Sequence, residues 1–246
     1  MKKQAAFFAI MSALAAPAFS TPSTQIWIPS TDIQKFKTAH LNIDTYLTTG
    51  SESNGVRKKP LSMLGPTFGV LPFEKIQAEI GFDLMYSGSD DLDNYPLYLN
   101  GKAGTPENSI FKGSPALAAG VYNAGLKADK TNQNIFYALA AKTLPAAGRL
   151  SAGYYMGNDK VLVDENGANA EKGVLLSWDR TKPEISDKLW LGADYQGGKS
   201  SLGALSFGAS WAFAPNTSVI FGYDVYNNPD VAGRNTVTVQ VDINFP

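Results

Sequence analysis

Asn235-Thr-Val-Thr-Val-Gln-Val-Asp-Ile-Asn-Phe-Pro246 is the stretch whose reading decides the fold. Successive side chains of a strand point to opposite faces. Val237, Val239, Val241, Ile243 and Phe245 therefore share one face, and Thr236, Thr238, Gln240, Asp242 and Asn244 share the other. The first face is wholly apolar and the second wholly polar. In a soluble protein such a strand lays its apolar face on a core. In an outer membrane the apolar face meets lipid and the polar face lines a lumen. The rest of the chain has to separate these two settings.

Composition narrows the choice. The 246 residues suffice for one large β-domain or two small ones. A formal net charge of −1, with no basic stripe, argues against a nucleic-acid partner. The chain has no cysteine, which removes disulfides, thiolate catalysis and cysteine-held metal centres, and it suits passage through an oxidising periplasm. A single histidine excludes a multi-histidine metal site.

Met1 to Ser20 has the parts of a signal peptide: Lys2 and Lys3, an apolar stretch from Ala5 to Ala16, and small residues in Ala18-Phe19-Ser20. Cleavage before Thr21 is expected. Beyond it no run of about 18 apolar residues occurs, so no helical membrane span is expected. Residues 21–36 form a leader with Pro22 and Pro29 and one apolar knot, Ile26-Trp27-Ile28. It is expected either as a periplasmic tail or as a plug folded into the following domain, residues 37–246.

About twelve strands follow: Thr38–Thr48, Leu61–Leu71, Lys75–Tyr86, Pro96–Gly104, Ala116–Lys127, Asn134–Thr143, Arg149–Gly157, Gly173–Asp179, Leu189–Gln196, Leu202–Ala214, Ser218–Tyr226 and the closing stretch. The second is interrupted by Pro66, and the fourth alternates weakly. In the sixth, Ile135, Tyr137, Leu139 and Ala141 are expected to face outward. Most strands run about 9 to 12 residues, the length a tilted strand needs to cross a bilayer, where ordinary strands run nearer 5 or 6. Short connections such as Leu71-Pro72-Phe73-Glu74, Leu144-Pro145-Ala146-Ala147 and Ala214-Pro215-Asn216-Thr217 alternate with long polar ones such as Thr49 to Pro60 and Asn158 to Lys172; Thr105 to Pro115 and Arg180 to Asp187 are long at the short-turn end, and Gly197 to Ser201 is short at the other. Bulk separates by face as well. Phe207, Trp211 and Phe213 alternate with Ala204, Ser206, Gly208, Ser210 and Ala212. A soluble core mixes large and small residues inside, whereas a lipid-facing surface takes the large ones, with aromatics near the interfaces. Tyr46, Tyr86, Tyr154, Tyr155, Tyr195, Tyr223 and Tyr226 fall near strand ends, and Phe213 and Phe245 at the opposite ends.

The signal peptide, the alternating strands, the loop asymmetry and the ending Ile243-Asn244-Phe245-Pro246 resemble a bacterial outer-membrane β-barrel of small-porin or channel type. The fold class expected is all-β: a closed antiparallel up-and-down barrel of about twelve strands. The resemblance implies residence in the outer membrane of a Gram-negative cell, among lipid and lipopolysaccharide. It also implies recognition of the last strand, ending at Phe245, by the barrel-assembly machinery.

Motifs for covalent chemistry are weak. Gly197-Gly198-Lys199-Ser200 lacks the earlier glycine and the following helix of a phosphate loop, and reads as a hairpin turn. His40 has Asn42 and not serine two positions on, so a lipase-like pair is not expected. Asp164 to Glu171, and Asp90, Asp91 and Asp93, carry oxygen ligands without the spacing of a calcium loop. No enzyme activity, cofactor or metal is expected. The candidate site is the lumen. Its expected lining is His40, Asn42, Asp44, Lys75, Glu79, Asp83 and Lys142 in the first half of the chain. Arg149, Asp179, Asp194, Asp224, Gln240 and Asp242 complete it. Acids exceed bases in this set, so a narrow passive channel for small polar or weakly cationic solutes is the leading expectation. The alternative is a non-conducting barrel that anchors or recognises through its loops.

Overall fold

The computed structural model describes residues 24–51, 55 and 58–246; the expected signal peptide lies outside them. Twelve strands form one closed antiparallel barrel. They are β1 (Ala39–Thr48), β2 (Leu61–Gly69), β3 (Gln77–Tyr86), β4 (Leu97–Thr105), β5 (Ala116–Gly125) and β6 (Asn132–Leu144). The second half comprises β7 (Gly148–Met156), β8 (Lys172–Thr181), β9 (Leu189–Gln196), β10 (Ala204–Ala214), β11 (Thr217–Tyr226) and β12 (Thr236–Phe245). Two single-turn helices, α1 (Asp90–Asp93) and α2 (Pro229–Ala232), lie in connections.

Each strand pairs with its sequence neighbour, and β12 closes on β1. Asn244 lies opposite His40, Asp242 opposite Asn42, and Gln240 opposite Asp44. Closure pairs the backbone groups that an open edge would leave bare, which lipid does not tolerate. Pro66 fits because it lacks the N–H for only one of its two ladders. The pairing of β2 with β1 runs unbroken through Pro66, while the pairing with β3 passes from Leu64 to Thr67 without it.

Large apolar side chains cover the outside: Ile43, Phe68, Ile80, Phe136, Leu176, Phe207 and Phe221 are all exposed. A continuous apolar exterior of this extent is stable against hydrocarbon and not against water. Polar side chains, Ser206, Ser210, Asp224, Thr238 and Gln240 among them, are buried inside. The barrel is therefore inverted relative to a soluble one. The shortest connections, 145–147 and 215–216, lie with the start of β1 at one end, where 106–115 and 182–188 are longer exceptions. The longest fully described one, 157–171, lies at the other.

Strand β6 corrects the sequence reading. Ile135, Tyr137, Leu139 and Ala141 face inward, and Phe136 and Ala138 face out. Ile135 is fully buried, whereas Phe136 is 63% exposed. Both faces of this strand are apolar, so alternation alone cannot choose between them. An apolar filling of the lumen makes the choice.

Candidate functional site

The lumen is occupied by the leader. At the short-connection end, Lys37 N donates to Gly69 O at 3.1 Å and Gly69 N donates to Thr38 O at 3.0 Å. A side chain at position 69 would collide with the carbonyls of Lys35 and Gln34, so glycine is what lets the leader turn inward there. Gln34 N then donates to Glu79 Oε2 at 2.6 Å. Lys102 Nζ reaches Glu79 Oε1 at 3.3 Å and donates to Ser30 O at 3.2 Å. Arg149 clamps the next stretch. Its Nη1 is 2.7 Å from both oxygens of Asp32, and its Nε is 2.9 Å from Asp179 Oδ1.

The tip is a turn in which Gln25 N donates to Ile28 O at 2.8 Å. Asp194 Oδ2 accepts the N–H groups of Ile26 and Trp27 at 2.8 and 3.0 Å. Gln240 Nε2 donates to Ile26 O at 2.8 Å, and Gln25 Nε2 donates to Asp179 Oδ1 at 3.1 Å. A non-helical segment inside a barrel has no ladder of its own, so the walls must supply its hydrogen-bond partners. The carboxylates and carboxamides on the polar faces of β8, β9 and β12 do this. Apolar contacts hold the other side of the tip. Ile26 packs with Trp190 and Ile220. Ile28 lies in a cluster with Ile135, Tyr137, Leu139, Tyr155 and Leu175, which Leu162 and Leu202 cover from the long-loop end. Trp27 Nε1 donates to Leu202 O at 2.8 Å.

The tip of the leader, with Ile26 and Ile28, packs against β6 to β11, while the stretch below it also bonds to β3 and β4, and open space remains above that stretch beside β1 to β5. That space is a cavity of about 430 Å³. Its lining runs from Lys59, Leu92 and Arg234 at the long-loop mouth down to His40, Glu79 and Lys102. From the leader, Thr24, Ile26, Trp27 and Pro29 line it.

Of the expected lumen residues, His40, Asp44, Glu79, Asp179, Asp194, Asp224, Gln240 and Asp242 are buried within the barrel. Asn42 and Asp83 line the cavity, and Arg149 reaches the leader. Two expectations are corrected. Lys75 is exposed in the connection before β3 and lies in no strand. Lys142 lies on the outer phase of β6, opposite the exposed Leu150, and pairs with Glu107 at 2.7 Å. The reversed phase of β6 moves it out. Tyr46 and Tyr155, read as interfacial from their position near strand ends, are buried inside. Asp32 and Lys102 were not anticipated. Asp32 belongs to a segment whose location was open, and Lys102 to a strand too weakly alternating to assign faces.

The acidic loop of residues 158–171 uses its oxygens itself. Asp164 Oδ1 accepts the N–H groups of Asn166 and Ala168, and Glu165 Oε2 accepts from Asn228 Nδ2 at 2.6 Å. Asp93 likewise accepts from Ser87 and Gly88. Among the described residues no group of three or more metal-ligating side chains converges.

No protein-family model matches the chain, and no curated protein does. Solved structures do. A KdgM porin superposes with a TM-score of 0.53 at 8% identity, covering 84% of this chain and 98% of that one. The chain has the fold of an outer-membrane β-barrel. An outer membrane channel from Pseudomonas putida F1 is also similar, with a TM-score of 0.45 at 14% identity over 86% of this chain and 96% of that one.

Proposed function

We propose that this protein is an outer-membrane channel for small polar or weakly cationic solutes, narrowed by its own leader. The observation that carries the reading is the half-filled lumen: a leader whose apolar tip packs to one side, beside a cavity that opens at the long-loop mouth. Acids outnumber bases among the buried lumen side chains. In the cavity itself, Asp44 and Asp83 stand on the wall below a mouth that carries Lys58, Lys59, Lys130 and Arg234, so the preference for cations comes from the deep wall. The reading includes residence in the outer membrane, supported by the apolar exterior. Lipopolysaccharide then surrounds the long-loop end, and the barrel-assembly machinery engages the last strand through Phe245.

A second reading has its own support. The leader is held by paired charges at Glu79–Lys102 and Asp32–Arg149–Asp179, as a permanent filling would be. The barrel would then be non-conducting and act through its loops. Planar-bilayer recordings separate the two. The channel reading expects small, reproducible cation-preferring steps from the full protein, and larger steps once residues 24–36 are deleted. Absence of steps from both proteins refutes it.

A further inference from the structure

The open half of the lumen presents a buried acceptor without a donor. Asp44 stands midway along β1 and is 6% exposed, and its Oδ1 has no hydrogen-bond partner. Its Oδ2 accepts from Asn42 Nδ2 at 3.1 Å. Further round the wall, Asp83 Oδ2 accepts from Asn100 Nδ2 at 2.8 Å. Asp83 and Asn42 close over Gly65 so tightly that a Cβ there would collide with both. Two carboxylates and two carboxamides thus form one acceptor-rich wall of the cavity. Aromatic rings line it as well. Trp27 of the leader meets Tyr46 edge to face at 5.3 Å between centroids, and Tyr226 at 5.7 Å.

Each feature points to the same ligand chemistry. A buried acceptor with no donor is costly, and a ligand N–H removes that cost. A charged N–H makes the stronger bond to a carboxylate. Aromatic faces attract cations. A volume of about 430 Å³ is that of a small-molecule site. No three-ligand cluster is present among the described residues to hold a bare metal ion. We propose that this vestibule binds a small organic cation bearing N–H donors, a primary amine or a guanidinium, with Asp44 as its principal acceptor and Trp27 beside it. Lys58, Lys59, Lys130 and Arg234 at the mouth oppose a compact multivalent cation and favour a ligand that carries a carboxylate at its other end. The proposal deepens the channel reading by naming the solute class, and it rests on that reading for entry and exit.

Equilibrium binding tests it apart from conduction. The purified full-length protein in detergent is titrated calorimetrically with butylguanidinium, arginine, tetramethylammonium, acetate and glucose. Butylguanidinium and arginine are expected to bind, and the other three to bind at least about tenfold more weakly. Asp44→Asn, checked for folding by heat-modifiable gel mobility, is expected to weaken both guanidinium ligands by about tenfold or more. Should that variant not fold, Asp83→Asn carries the test, with a several-fold loss expected. The proposal is overturned if butylguanidinium does not bind, if glucose or tetramethylammonium binds as well, or if the folded variant binds undiminished. Binding of arginine alone also overturns it, since recognition would then rest on the carboxylate. Binding without conductance sinks the channel and leaves the pocket; conductance without binding does the reverse.

Discussion

Arg149→Met tests how the leader is held. Arg149 ties Asp32 of the leader to Asp179 of the wall, at 2.7 and 2.9 Å. Breaking a fully buried ion pair costs about 3–5 kcal/mol, while an exposed pair is worth about 0–1 kcal/mol. This one lies between: the Arg149 side chain is 14% exposed and that of Asp32 36%. Asp179 also keeps donors from Gln25 and from Trp190 Nε1 at 3.2 Å. A cost of about 2 kcal/mol to leader docking follows, or about thirtyfold in the undocked population. The assay is the fraction of time spent in the larger conductance level, with protease cleavage of the leader as a second readout. Asp32→Asn should act in the same direction. The double variant should exceed Arg149→Met by no more than about 0.5 kcal/mol, because the two substitutions remove one interaction. An open fraction for Arg149→Met within about twofold of the parent would refute the clamp, since it leaves under 0.5 kcal/mol for it. Fully additive effects would refute it as well.

Three further outcomes follow from the same geometry. Asp194→Asn weakens the acceptor for two leader N–H groups; it should loosen the tip by about 1.5–3 kcal/mol, read as faster protease cleavage near Trp27. Gly69→Ala forces the leader backbone aside where it turns into the barrel, at a cost of about 1–3 kcal/mol. It should raise the larger conductance level while heat-modifiable mobility is kept. Phe221→Lys places a charge on the exposed outer face midway along β11, and should cost about 2–4 kcal/mol in reversible unfolding from lipid vesicles. An unchanged midpoint there would mean that this face does not meet lipid.

The strands were legible because each carries a period of two over many residues, with bulk on one face. Leu205, Phe207 and Trp211 against Ala204, Ser206 and Ser210 is a contrast that only one orientation satisfies. Even Pro66 left β2 readable, since one of its two ladders does without the proline N–H. The β6 phase was not legible. Tyr137 and Phe136 are equally suited to lipid, and the choice depends on Ile28, about a hundred residues earlier in the chain, standing inside the barrel. The lumen acids were visible as polar-face positions, but their task was not. Glu79, Asp179 and Asp194 read as possible channel lining, and all three bond to the leader. Local pattern reports which face a residue occupies. It does not report what fills the space opposite. The knot Ile26-Trp27-Ile28 was the one signal that the leader had a partner to bury against.

The leader's position is the claim on which the rest depends, and the absence of native cysteine makes it directly measurable. Ser30→Cys introduces a thiol at a site that is 1% exposed, and Lys35→Cys introduces one at an exposed site on the same leader. The measurement is the rate of labelling by a water-soluble maleimide in the two purified, folded variants. A docked leader predicts that the Ser30→Cys variant reacts about a hundredfold or more slowly than the Lys35→Cys variant, and that unfolding makes the rates equal. Equal rates in the folded proteins would show the leader outside the lumen and contradict the account.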